Sequence, residues 1–316
     1  MLPDYEPGQY LRIRVVHPDS GELLTRAYSL TGAASIERRL EYKICVGRSL
    51  AGAAQPATSL SSLIHESLKI GDTVEVEAPS GAFTMPTVSS VPLVLIATGI
   101  GITPFISLLD SLGDSDKIPF VTLLYGNRNG SEHAFKNQLR TFEARWPRLT
   151  IRNFYSQPRA SDILGSDFHV TGRLDAAQID PSLVTKRARF YLCGSEAMIA
   201  SMTKGLRSLG VPKFDIYNEV FISPANTLDD GLRSCSVSFK RSGVSFQWTP
   251  KDGTLLECAE RLGIHAPSGC RVGQCESCAV QVLAGSTKQL SGAIPEDSDT
   301  VFTCRAVPLS DLVLDL

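Results

Sequence analysis

The chain reads as a multidomain protein of α+β and α/β class. It should contain an antiparallel β-barrel, a parallel sheet covered by helices, and a small C-terminal α+β domain. Three observations predict this. Period-2 alternation fills the first ~85 residues, apolar runs alternate with helical stretches from Val91 to Phe221, and strands return after a polar break. The 316 residues suit about two domains and allow three small ones.

The alternating runs are QYLRIRV at 9–15, TRAYSL at 25–30, LEYKICV at 40–46 and DTVEVEA at 72–78. With Gly, Asp and Ser turns between them they predict antiparallel strands of a barrel, and SLSSLIHESL at 59–68 a short helix. VPLVLIA, PFVTLLYG, LTIRNFY, ARFYLCG and FDIYNEV then alternate with TPFISLLDSL, HAFKNQLRTFEARW and SEAMIASMTKGLRSLG. That alternation predicts a parallel sheet with ligands at the carboxyl ends of its strands. ISPANTLDDGLRS at 222–234 has no usable period and reads as a linker. Beyond it come a hairpin around Arg241–Gly243, a helix TLLECAERLG, a cysteine loop, and short strands AVQVLA and DLVLDL. The expected boundaries are therefore 1–86, 87–221, a linker at 222–234, and 235–316.

Composition narrows the function classes. Apolar residues make up 43% and charged residues 20%, so the chain is globular, and 31 basic against 33 acidic residues exclude a nucleic-acid binder held by a positive field. The start, MLPDYEPGQY, has no basic region and no apolar core, which predicts no secretory signal and a cytoplasmic, reducing compartment. Val91–Leu109 carries no charge, but Gly99, Gly101 and Pro104 break its middle, so it reads as strand, turn and helix rather than a membrane span.

Four of the eight cysteines fall within 35 residues. Cys270, Cys275 and Cys278 stand as C-x4-C-x2-C, with Cys304 further on, which is the spacing of a plant-type 2Fe-2S site. Gly269 and Gly273 permit the backbone angles by which amides turn toward such a cluster. Zinc is the competing metal, but it usually takes two C-x2-C pairs, or Cys with His, and this segment has one such pair preceded by a gap of four. Cys45, Cys193, Cys235 and Cys258 fall in strand or helix patterns and read as small core residues.

ATGIGITPF places Gly99 and Gly101 before Thr103, a good cap, and Pro104, a good first helical residue. Pro104 occupies the third glycine position, so the Rossmann fingerprint is absent. The residues fit either a phosphate cradle at a helix start or a tight structural turn. Cys193-Gly194-Ser195 ends a later strand of the same sheet and by itself reads as a buried strand terminus. Arg128 follows a strand and fits a ribose or phosphate contact or a solvated side chain. In RAYS, alternation puts Arg26 and Tyr28 on one face, for a phosphate and a flat ligand, with Ser29 beside them; alone the tetrapeptide is unspecific.

RAYS, TGIGITPF, YLCGS, IYNEVF and the cysteine pattern, in that order, resemble the phthalate dioxygenase reductase family of the ferredoxin-NADP reductase superfamily. The resemblance implies FMN on the N-terminal barrel, NADH (with NADPH the alternative) on the central domain, and a 2Fe-2S cluster in a C-terminal β-grasp, ferredoxin-like domain. It implies that Arg26 binds the flavin phosphate with help from Ser61 and Ser62, that Tyr28 lies along the flavin ring, and that Ser29 approaches its reactive nitrogen. Gly99, Gly101, Thr103 and Pro104 would line the dinucleotide with Arg128, Cys193 and Gly194 would stand beside the nicotinamide, and Glu219 and Phe221 near the flavin. Ser29, Cys193 and Glu219 are thus the candidate catalytic residues.

The implied activity is electron transfer from the nicotinamide through FMN and the cluster to an oxygenase partner, Rieske-type or haem-thiolate, with no nucleic acid or membrane involved. Glu296, Asp297 and Asp299 read as a docking edge or a solvated loop. In the family the Pro7-Gly8-Gln9-Tyr10 strand follows about two further barrel strands; here it opens the chain, which implies a shortened barrel. A barrel unable to keep flavin would leave a non-catalytic 2Fe-2S electron carrier as the alternative.

Overall fold

A computed structural model describes residues 1–18, 21, 23–48, 60–112, 118–221, 232–268, 276–290, 295 and 297–316. They form two compact units, one within 1–221 and one within 232–316.

The first unit opens with an antiparallel sheet. β1 (Tyr10–Val16) lies between β2 (Leu23–Ser29) and β3 (Glu75–Val76), in a register that sets Tyr10 opposite Ser29 and Ile13 opposite Arg26. Leu11, Ile13, Tyr28 and Leu30 bury against Leu60 and Leu63 of α1 (Leu60–Glu66). Two expected strands are curtailed. The 40–46 run contributes one bridge, Leu30 to Ile44, leaving Cys45 half-buried outside any strand, and 72–78 pairs only at Glu75–Val76. Alternation reports which face is buried, but a ladder also needs a neighbour's free groups. Here the Ala33 and Ala34 carbonyls accept from Arg39 Nη2 at 2.8 and 2.6 Å, and the Ala34 carbonyl also takes the Tyr5 amide at 3.2 Å.

The same unit continues into a six-stranded parallel sheet. Its strands are β4 (Leu93–Thr98), β5 (Val121–Asn127), β6 (Leu149–Tyr155), β7 (Val170–Thr171), β8 (Arg189–Gly194) and β9 (Ile216–Val220), in the order β7-β6-β5-β4-β8-β9. α2 (Thr103–Ser111), α3 (Lys136–Arg145), α4 (Pro181–Thr185) and α5 (Glu196–Ser208) connect them. Central β4 is an unbroken apolar run, Leu93 to Ala97, that is fully buried, as expected of a strand covered on both faces. The chain leaves β4 toward β5 on one side and later returns to β8 on the other, so the order reverses at β4. A crevice for ligands opens at such a switch point, beyond the carboxyl end of the strand. Val91–Leu109 is thus β4, a tight turn and most of α2, and no described helix is long and apolar enough to cross a membrane.

The second unit begins with a hairpin of β10 (Cys235–Phe239) and β11 (Val244–Trp248), followed by α6 (Leu255–Arg261), which is started by a capping box of Thr254 and Glu257. β12 (Ala279–Ala284), β13 (Thr287–Gln289), β14 (Thr300–Phe302), β15 (Ala306–Pro308) and β16 (Leu312–Leu314) complete it. The five-stranded sheet runs β11-β10-β16-β12-β14, with β10 and β16 parallel, while β13 and β15 pair separately. α6 packs Leu255, Leu256 and Cys258 onto Val237, Phe239 and the fully buried Trp248, whose indole N–H donates to the Gly253 carbonyl at 2.9 Å. The predicted linker lies, as far as residue 231, outside the described residues.

Candidate functional site

At the switch point β4 ends in a 3-10 turn, Gly99–Ile102, that runs directly into α2. Gly99 has φ +53°, in the left-handed region that favours glycine, and open space where a side chain would stand. Gly101 serves a different need: a Cβ there would collide with the Cys193 carbonyl and come within 2.8 Å of the Gly194 Cα. The turn therefore lies against the end of β8, which brings Gly99, Gly101, Cys193 and Gly194 to one edge. Tyr125, unremarked in the sequence, donates from its hydroxyl to the Gly99 carbonyl at 2.9 Å. Burial pushes that phenol far up, so it is a permanent donor. The expectation of Thr103 as helix cap is corrected. Ile102 holds the cap position, Thr103 is itself helical, and its hydroxyl donates back to the Ile100 carbonyl at 3.0 Å. The preceding 3-10 turn already gives the chain helical direction, and Pro104 sits in the first turn as predicted.

Beside this turn, Cys193 of β8 pairs in register with Glu219 of β9. Cys193 has no exposed surface; burial, then the Glu219 charge, raise its thiol well above the ordinary value, so it is a neutral group here and not a thiolate. Glu219 is 6% exposed, its Oε2 has no hydrogen-bond partner, and burial pushes its carboxyl from 4.5 up to about 8. A buried, unsatisfied carboxyl at the ligand edge of a sheet is a candidate functional group. Phe221 follows β9, partly exposed.

The raised carboxyl has a signed consequence. Between pH 4.5 and about 8 the folded protein holds a proton on Glu219 that the unfolded chain has released, so stability falls as pH rises through that window. The slope from this group is about 1.4 kcal/mol per pH unit and vanishes above the folded value. Glu219→Gln should remove that component. Urea midpoints at pH 6 and pH 8.5 should draw together in the variant, and an unchanged difference would place the titration elsewhere.

At the β5 edge, Arg128 is exposed and donates from Nε to Gln157 Oε1 at 2.9 Å. Asp162 accepts from the Gly130 and Arg159 backbone amides at 3.2 and 2.7 Å.

On β2, Arg26 is half-buried and has no carboxylate partner among the described residues. Tyr28 is 8% exposed and belongs to the core, with its hydroxyl 3.0 Å from Ser61 Oγ, so the strand and α1 are joined at this point. Ser29 is buried opposite Tyr10, and Ser62 follows Ser61 on α1. A guanidinium without a carboxylate partner on the strand of a Tyr–Ser pair is a candidate phosphate contact.

In the second unit, Cys278 and Cys304 are each 2% exposed, are not joined in a disulfide, and hold their Sγ atoms 3.2 Å apart. Two thiolates on one tetrahedral metal stand ~3.8 Å apart for ~2.3 Å bonds, so this pair needs little movement to share an ion. Thr303 fastens the site by donating its amide and hydroxyl to the Cys278 carbonyl at 3.1 and 3.0 Å. Among the described residues no third His, Cys, Asp or Glu joins the two sulfurs. Cys270, Cys275, Gly269 and Gly273 lie outside the described residues, as does Glu296; Asp297 and Asp299 are exposed. The two thiols present are the donor chemistry an iron-sulfur cluster requires.

Comparison with known proteins follows this division. The oxidoreductase NAD-binding domain family matches residues 95–204, and the 2Fe-2S iron-sulfur cluster binding domain family matches 237–309. Phthalate dioxygenase reductase, described as a modular structure for electron transfer from pyridine nucleotides to 2Fe-2S, superposes over 100% of this chain and 89% of its own, with 25% identity and a TM-score of 0.71. The flavohem-like FAD/NAD binding domain of nitric oxide dioxygenase from Vibrio cholerae is 32% identical over 70% of this chain and 86% of its own, with a TM-score of 0.59. A flavohemoprotein of Bordetella pertussis is 33% identical over 219 residues, 69% of this chain and 53% of that protein. The chain thus spans about half the length of the curated relatives it matches.

Proposed function

The chain belongs to the phthalate dioxygenase reductase family, built on the ferredoxin-NADP reductase fold, and from that premise we propose that it is an NADH-dependent reductase serving an oxygenase. The proposed parts are a flavin segment at 1–86, a nicotinamide segment at 87–221 and a cluster domain at 235–316, in a cytoplasmic protein. A bound flavin supplies what no side chain here can, accepting two electrons from a nicotinamide and releasing them singly to an iron-sulfur cluster.

The chain's own residues bind and orient. The Gly99–Ile102 turn and the α2 amides would receive the dinucleotide phosphates, since the dipole is positive there and Gly99 leaves room. Cys193 and Gly194 would form the floor of the nicotinamide site, and protonated Glu219 would close it as a hydrogen-bond donor. Arg128 would face the ribose. Arg26, with Ser61 and Ser62, would hold the FMN phosphate, and Tyr28 and Ser29 would set the ring. Cys270, Cys275, Cys278 and Cys304 would hold the cluster.

The observation that carries this reading is the meeting of the glycine turn with Cys193 and the unsatisfied Glu219 at the sheet's switch point, in a chain that also closes two thiols on each other. Its test is the visible spectrum of anaerobically purified protein. Flavin and cluster bands that bleach on NADH addition are expected, with faster bleaching by NADH than by NADPH. Cluster bands alone would mean an electron carrier without flavin, and no chromophore at all would defeat the proposal. Offering the reduced protein a Rieske-type oxygenase and a haem-thiolate monooxygenase in parallel identifies the acceptor class.

A further inference from the structure

The loop that follows the proposed flavin strand is gripped by the helix that grows from the proposed nucleotide turn. Three residues after Ser29, the Gly32 carbonyl accepts from Ser107 Oγ at 3.0 Å and from the Tyr5 hydroxyl at 2.6 Å. Two residues further, the Ala34 amide donates to Ser111 Oγ at 2.8 Å, and Ser111 in turn donates to the Ser107 carbonyl at 2.6 Å. Arg39 donates to the carbonyls of Ala33 and Ala34, and the Thr31 amide donates to the Lys43 carbonyl at 2.9 Å. Ser107 has no exposed surface and Ala34 is 3% exposed, while Ser111 and Gly32 are half-buried, so the Ser107 hydroxyl and the Ala34 amide depend on these partners.

Thr103, Ser107 and Ser111 recur every four residues and so share one face of α2. That stripe runs from the nucleotide turn, where Thr103 holds Ile100, to the loop beyond Ser29. Polar groups on the buried face of a short apolar helix are costly unless each is satisfied, and each of these three is satisfied by backbone. A sheet-to-helix contact made for cohesion alone is served by the leucines of the same helix, Leu108 and Leu109. Hydrogen bonds instead fix distance and direction.

We propose that Ser107 and Ser111 are positioning residues: they latch the 30–34 loop to α2 and so set the spacing between the flavin strand and the nicotinamide site. This rests on the electron-transfer reading above. A hydride passes only over near-contact distances, and an ångström of misplacement is enough to slow it by one or two orders of magnitude. Neither serine touches the nucleotide phosphates in this scheme, so binding of the nucleotide should be spared.

The test compares wild type, Ser107→Ala, Ser111→Ala and the double variant, with Ser208→Ala on the exposed face of α5 as control. Rapid mixing with saturating NADH should give a limiting flavin-reduction rate about tenfold lower in the double variant, with the apparent NADH dissociation constant within about twofold. Hydrogen exchange of the peptide spanning residues 30–36 should accelerate in Ser111→Ala, which strips the Ala34 amide of its acceptor, and not in Ser208→Ala. A reduction rate per bound flavin equal to wild type would overturn the latch, whether or not the melting temperature or flavin content had fallen. A wild-type protein whose flavin NADH fails to reduce would instead overturn the electron-transfer reading, and the latch along with it.

Discussion

Cys304→Ser and Cys278→Ser should each yield protein that has lost the cluster absorption and the reduction of a one-electron acceptor such as cytochrome c, while ferricyanide reduction by NADH through the flavin persists. The two sulfurs face each other at 3.2 Å and each cysteine is 2% exposed, so water has little access to the place of a lost thiolate. Changes to groups merely supporting metal ligands already cost ten- to a hundredfold in affinity, so removal of a ligand should lower acceptor turnover by about a hundredfold or more. Serine keeps size and shape, and the Thr303 bonds to the Cys278 carbonyl do not involve the sulfur, so the fold should hold. Circular dichroism of the variant checks that, and metal analysis distinguishes iron from zinc in the parent. Normal cytochrome c reduction by either variant would remove these cysteines from the electron path.

Gly101→Ala should be the most damaging single methyl in the nucleotide segment. The added carbon meets the Cys193 carbonyl and the Gly194 Cα, both backbone atoms in a central strand of a packed sheet, so neither rotamer change nor side-chain movement relieves the clash. Overpacking of this kind costs about 1–3 kcal/mol or more, equivalent to ~2–4 °C in melting temperature per kcal/mol for a unit of this size. Nucleotide binding should fall further than stability does, because the turn shifts away from β8 and uncouples the helix amides from Cys193. Gly99→Ala makes the contrast: nothing lies within 4 Å of its Cβ, and only its positive φ exacts about 1 kcal/mol. In that variant the fold should survive while the methyl occupies the space offered to a phosphate. Isothermal titration with NADH and thermal melting of both variants check the ordering; equal melting losses would mean that the close approach of turn and strand is absent.

Much of the architecture was written locally. The run Leu93–Ala97 is apolar at every position because both faces of β4 are covered, and strand alternating with helix from Val91 to Phe221 allowed little besides a parallel sheet. The hairpin at Arg241–Gly243 and the helix at Leu255–Arg261 were legible from the strand and helix patterns around them. The 40–46 segment alternates as a strand does, yet it makes a single bridge, Leu30 to Ile44, because alternation encodes a buried face and not the neighbour a ladder needs. Thr103 is a capping residue type, but the 3-10 turn ahead of it puts Ile102 at the cap position and Thr103 inside the helix.

The sequence by itself determined the chemistry on offer: two glycines before a helix, a carboxyl and a cysteine at strand ends, and four spaced thiols, all encoded by short-range spacing. The tertiary structure alone decided what that chemistry meets. Strand order set Glu219 beside Cys193 and stripped it of water, the collapse of the second unit drove Cys278 and Cys304 together across 25 intervening residues, and helix packing joined Ser111 to Ala34. Contacts between residues distant in the chain follow from how apolar faces close on one another, and no local pattern carries that information.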